Sequence, residues 1–162
     1  MMTVQQQVGK LAEVVFRPPL GIDELSGFVA GVRSLVQRAS EPLVFVCDWR
    51  AVDRFDQAMA DTIVWTMRRD NPGVRANGVL VAARNTALYE QVAQVLHEAR
   101  KPERRVFRAR GELAAFLDPF LSADERRRRD RLLDEGQAAT GAPRIATTSS
   151  PPVSTPSSGS SS

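Results

Sequence analysis

"PLVFVCDWRAVDRFDQAMADTIVWTM", Pro42 to Met67, decides how the rest of the chain is read. Leu43–Cys47 is a continuous apolar run, the pattern of a strand buried on both faces. The run gives out at Asp48, a loop carrying Asp48, Asp53 and Asp56 follows, and a helix begins near Gln57 with Asp56 as its N-cap. Ala60, Ile63, Val64 and Met67 recur at the spacing of that helix's inner face, and "DNPG" at Asp70–Gly73 stops it. Loops at the carboxyl end of a strand are where α/β proteins usually hold ligands. The three aspartates therefore raise a choice between an active site, a recognition surface and ordinary turn chemistry.

Outward from this stretch the apolar period switches repeatedly between two and 3.6. On the amino side, "TVQQQV" and "LAEVVF" flank Gly9-Lys10 and read as a hairpin, with Gly9 supplying the turn. Pro18-Pro19 close that region, and Ile22, Leu25, Phe28, Val29, Val32, Leu35 and Val36 mark one face of a helix from about Ile22 to Arg38. On the carboxyl side, "GVLVAA" is a second doubly buried strand. Asn85 or Thr86 caps a helix with Leu88, Val92, Val95 and Ala99 inward. "RRVFR" is a short strand whose charges suit a sheet edge, and "GELAAFLDPFL" is a helix ended or kinked by Pro119.

Strands alternating with helices predict a single α/β domain over residues 1–121, with a layered, mostly parallel mixed sheet of four or five strands. "SADERRRRDRLLDEG" predicts a further helix over 122–136. It opens on a Ser122/Glu125 capping box and closes at Gly136 as its C′ residue. Its middle is almost wholly charged, so it reads as a solvated outer helix in which only Leu132 and Leu133 dock. From residue 137 to 162 the chain is rich in Ser, Thr, Pro and Ala, with Arg144 its only charged side chain, and is expected to be a disordered tail.

Composition narrows the function classes. One cysteine and one histidine in 162 residues exclude an internal disulfide framework and zinc sites built from several Cys or His ligands. No segment approaches the roughly 18–20 apolar residues of a membrane span. A soluble, cytoplasmic protein is expected. The formal net charge of +3 is weak evidence for nucleic-acid binding. "ARKPERRVFRAR", with six basic residues against Glu103, reads mainly as a charged edge strand and its flanking loop, so nucleic acid is an unlikely partner.

The sequence contains no P-loop, no dinucleotide fingerprint after the first strand and no nucleophile elbow. His97 lies late in a helix beside its apolar face, which suits a structural role better than a catalytic one. A phosphoacceptor of receiver type would place its aspartate at Asp48. It would also need an acidic pair after the first strand and a lysine after the last, and neither is present. No metal and no cofactor are expected.

The order of elements and the local pattern resemble the STAS domains, the anti-sigma-factor antagonists and their SpoIIAA-like relatives. In that family a buried strand ends in aspartate, a short turn follows, and "DSSG" opens the next helix. Here "VFVCDWRAVDRFDQAMADTIVW" aligns with it without a gap. Asp48 takes the strand-end aspartate, Trp49–Val52 the turn and Asp56 the aspartate of the DSSG segment. The resemblance spans roughly Val4 to Leu121 and implies a non-enzymatic regulatory module that docks a protein partner, a regulator or a kinase-like protein. The phosphorylated serine of the family falls on Ala58, the serine before it on Gln57 and the glycine on Met59. The resemblance therefore implies binding without the usual phospho-switch.

Trp49, Asp53, Arg54, Asp56, Gln57 and Ala58 are the partner-binding candidates, with Trp49, just beyond a buried strand in a polar loop, reading either as a lid over the core or as an exposed anchor; a homodimer is compatible with this reading. Two alternatives remain. A small-ligand or lipid-binding domain would use a pocket bordered by the loops after "LVFVC" and "VLVAA", with Arg84 and Asn85 facing in. A carboxylate- or metal-dependent enzyme would need two of Asp48, Asp53 and Asp56 to converge.

Overall fold

The computed structural model describes residues 1–141. Strands β1 (Met2–Val8) and β2 (Leu11–Phe16) form an antiparallel hairpin, turned at Gly9 with φ +53°. Helix α1 (Ile22–Arg38) leads to β3 (Leu43–Asp48), α2 (Gln57–Asp70) to β4 (Val74–Leu80) and α3 (Thr86–Glu98) to β5 (Arg104–Phe107). Helices α4 (Arg110–Leu117) and α5 (Ala123–Ala139) follow. The five strands lie in chain order, with β2 to β5 mutually parallel. The mixed, mostly parallel sheet is the architecture read from the sequence, with the charged strand β5 at an edge as its arginines suggested.

Sequential parallel strands joined by right-handed crossovers place every crossover helix on the same face. Helices α1, α2 and α3 accordingly pack on one face, where Phe28, Ile63 and Val92 meet Val14, Phe45 and Val79. No crossover remains after β5, so α4 and α5 return across the other face. Leu113, Leu117, Leu132 and Leu133 close there over Leu11, Val44, Val46 and Leu80.

The position of α5 corrects the solvated-helix expectation. Besides Leu132 and Leu133 it buries Glu125, Arg128, Arg129 and Gly136. Its charges dock because the sheet offers charges beneath them. Glu13, on the same side of β2 as Leu11 and Val15, is fully buried, and Arg128 grips it through Nε at 3.0 Å and a second nitrogen at 2.6 Å. At the amino end the expected capping box forms. The Glu125 carboxylate also accepts the Lys10 N–H at 2.9 Å, which ties the helix to the hairpin turn. At the carboxyl end Arg50 donates to the Leu133 carbonyl at 2.7 Å and to Gln137 at 2.8 Å.

Gly136 does not end the helix, which runs on through Ala139. A Cβ there would lie 1.8 Å from the Asp48 carboxylate, so the glycine lets the helix pass directly over that group. Gln137–Ala139 thus belong to α5 and not to the tail. Of the remainder of the expected disordered tail, Thr140 is the C-cap of α5 and residues 142–162 lie outside the described residues. Among the described residues no helix is long and apolar enough to cross a membrane.

Candidate functional site

The loop from Trp49 to Asp56 is built from the inside outward. Trp49 is 1% exposed. Its ring stacks on Phe16 with centroids 5.0 Å apart and meets Phe55 edge-on at 5.3 Å. It is a lid over the first face of the sheet and not an exposed anchor, which removes it from the partner-binding candidates. Apolar aromatic neighbours on both sides outweigh the cost of leaving its indole N–H without a hydrogen-bond partner.

Two polar side chains of α3 hold the loop from the side. Gln91 accepts the Phe55 N–H at 3.0 Å and donates to the Phe55 carbonyl at 2.8 Å. Asn85 caps α3 by accepting the Leu88 N–H at 3.0 Å and donates to the Asp53 carbonyl at 2.8 Å. The loop is therefore fixed by backbone clamps before any ligand arrives, the condition under which binding loses little ordering entropy.

The three aspartates do not converge. Asp48 is buried and held by Arg50, whose Nε lies 2.8 Å from one carboxylate oxygen and whose terminal nitrogen lies 2.9 Å from the other. Asp56 accepts the Met59 N–H at 2.7 Å as the helix cap, as its position in the sequence predicts. Asp53 is exposed in the loop. No group of three or more His, Cys, Asp or Glu able to hold a metal ion occurs among the described residues. Burial pushes the Cys47 thiol up to about 12, which leaves it protonated and unreactive at neutral pH.

What the loop presents outward is Asp53, Arg54, Asp56, Gln57 and Ala58, all exposed. Gln57 is steadied by Asp61 at 2.7 Å. Thr62, one turn beyond Ala58, donates its hydroxyl to the Ala58 carbonyl at 2.9 Å. The outward line of α2 continues from Ala58 through Thr62 to Trp65, since seven residues are almost two full turns. Trp65 is 57% exposed and is stacked by the Arg69 guanidinium at 4.9 Å. That guanidinium is itself anchored on Asp70 at 2.6 Å and on the Val29 carbonyl at 3.2 Å.

Sequence reasoning passed over Trp65. The signal was available: with Ala60, Ile63, Val64 and Met67 inward, position 65 points to solvent, an unusual place for the largest apolar side chain.

Arg84 and Asn85 part company. Arg84 borders a cleft of about 530 Å³ beyond the carboxyl ends of the strands, which also takes in Arg50, Arg108 and Arg110. Asn85 is engaged as cap and loop clamp and does not line it. Two of the four guanidiniums are already paired, Arg50 with Asp48 and Arg110 with Asp134.

Comparison with protein-family models, with curated proteins and with solved structures gives no match for this chain.

Proposed function

We propose that the protein is a non-enzymatic regulatory interaction module of STAS-like type, which docks a protein partner through the start of α2 and the line from Ala58 to Trp65. One observation carries this reading. A rigidly clamped strand–turn–helix presents small and polar residues at the helix start, with an exposed tryptophan two turns along the same line. Tryptophan is the residue most enriched at binding hot spots, and an already ordered ring binds with little loss of rotamer freedom. The buried and capping roles of Asp48 and Asp56 favour recognition over catalysis in this loop.

Regulation by phosphorylation at the first turn of α2 requires a hydroxyl that Ala58 lacks. The nearest hydroxyl, Thr62, is turned back onto the helix backbone. The module in this reading is constitutively ready to bind.

The test begins by capturing partners on the tagged full chain from lysate of the source cell. The recovered protein is then titrated calorimetrically against the wild type, Ala58→Glu and Trp65→Ala. Each substitution is expected to weaken binding by about tenfold or more. A partner that binds all three forms equally removes this surface from the account.

A second reading rests on the arginine cleft, where Arg84 and Arg108 would receive a small phosphorylated or carboxylated ligand. It ranks second because Arg50 and Arg110 are neutralised by their own aspartates. A phosphate-dependent rise in melting temperature, lost in Arg84→Ala, would bring it forward.

A further inference from the structure

We infer that the open edge of β5 receives an extended acidic peptide as a sixth strand of the sheet. Strand β5 ends the sheet, so among the described residues one side of its backbone has no neighbouring strand. The carbonyls of Glu103 and Phe107 point inward, where they accept the N–H groups of Asn77 and Val81. In a parallel ladder the alternate residue points the other way, so the N–H and carbonyl of Val106 face outward. Such an edge is a template for another strand unless something covers it.

Beside this edge lies an open groove of about 1090 Å³, walled by α3 on one side and reaching Glu112 of α4 on the other. Leu96, Val106 and Phe107 give it an apolar floor. Its rim is basic: Arg68, Arg100, Lys101 and Arg105 line it against Glu98 and Glu112, while Arg104 is buried behind it on Asn71 and the Met67 carbonyl. Lys101 reaches Glu103 at 3.9 Å. Arg68 is turned to the Glu98 carbonyl at 2.6 Å, and Arg105 lies over the Phe116 ring at 5.4 Å. Among the described residues, no carboxylate lies within ion-pair distance of Arg68, Arg100 or Arg105.

The charge selects an anionic occupant and the exposed backbone selects an extended one. A strand with alternating acidic and apolar side chains meets both, placing its apolar residues on the floor and its carboxylates on the rim. Single-stranded nucleic acid meets the charge alone. Nucleic acid would also need a free aromatic face for stacking, and the Arg108 guanidinium already lies 4.1 Å over the ring of Tyr89. This surface shares none of the residues from Asp53 to Trp65 on which the proposed function rests.

The experiment is fluorescence anisotropy on the full chain. The probe is a labelled peptide of about eight residues alternating Glu and Val. It is compared with the same peptide N-methylated on alternate amides and with a labelled oligothymidylate. Val106→Pro removes the outward N–H without breaking a bond to β4, because edge positions tolerate proline there. Arg100→Glu combined with Arg105→Glu reverses the rim by a route that leaves the backbone intact, and circular dichroism confirms that each variant is folded.

The peptide is expected to bind. N-methylation, Val106→Pro and the double charge reversal should each weaken it by about tenfold, while Ala58→Glu leaves it unchanged. The inference is overturned if the peptide does not bind. It is equally overturned if N-methylation and Val106→Pro have no effect, which is charge adhesion alone, or if the oligothymidylate binds more tightly than the peptide.

Discussion

On one face of the sheet, Val14, Phe45 and Val79 meet α1, α2 and α3 through hydrocarbon and aromatic rings. On the other, Glu13 and Asp48 stand among the aliphatic residues of β2 and β3 and must be answered by charge. Arg128 and Arg50 supply it, and both belong to the attachment of α5. The first face is held by non-directional burial and tolerates exchange of one apolar shape for another. The second is held by paired groups whose worth depends on both members being present. The same difference separates the two ends of the functional question. The strand-end carboxylate of Asp48 that looks like chemistry is tied through Arg50 to a helix, and the side chains without such a tie lie exposed along the outer side of α2.

The largest expected effect breaks the second face. Arg128→Ala leaves Glu13 buried without a counter-charge, and urea denaturation should show a loss of about 3–5 kcal/mol. Replacing both members, Glu13→Leu with Arg128→Leu, should return most of that loss, because the pair is expensive to desolvate and its removal leaves an apolar site. An equally large loss in the double variant would mean that the pair adds net stability beyond neutralising itself.

Gly136→Ala comes next. The added methyl meets the Asp48 carboxylate and the Arg50 guanidinium at once, where neither can withdraw. A loss of about 1–3 kcal/mol is expected by thermal denaturation, the range for overfilling a packed site. Were Gly136 an exposed position inside the helix with nothing beside it, the same change would instead stabilise the fold by about 0.5–1 kcal/mol.

Glu125 tests the amino-terminal attachment of α5 through pH. Burial alone would raise its carboxyl, but the N–H bonds from Ser122 and Lys10 outweigh it and hold the group below the usual glutamate range. A carboxyl lowered in the folded state contributes stability that is fully present above its unfolded value, about 4.3. That contribution is lost as pH falls through the folded value. Melting temperature followed from about pH 6 down to pH 3 should therefore fall more steeply in the wild type than in Glu125→Gln.

The smallest effect has the opposite sign. Arg100 follows α3 with φ +57°, the left-handed conformation in which a helix usually ends on glycine. Arg100→Gly should stabilise the fold by about 1 kcal/mol while weakening the acidic peptide at β5.

These differences also explain what could be read without coordinates. The first face was legible because its residues follow strand and helix periods, and α1 falls at Ile22–Arg38 as its apolar spacing predicts. The caps at Asp56, Asn85 and Ser122 were legible because short polar side chains before a periodic run have a direct backbone partner. The docking of α5 was hidden by its own chemistry. A helix whose inward side carries Arg128, Arg129 and Glu125 shows no apolar stripe. Glu13 beneath it is the one acid in the apolar run "LAEVVF", and nothing in the spacing marks it for a partner on α5. Trp49 was ambiguous for a related reason: it follows the buried strand directly, yet sits in a polar loop, and only Phe16 and Phe55 reveal which way it faces.

Amide hydrogen exchange along α5 tests most directly whether the second face is a permanent layer with structural acids under it. If Glu13 and Asp48 serve only to hold α5, the amides of Arg129 to Leu133 exchange through global unfolding, as slowly as those of β3. Exchange at α5 that is orders of magnitude faster than at β3 would contradict the account. The helix would then be a removable cover, and the two carboxylates beneath it would return as candidates for chemistry.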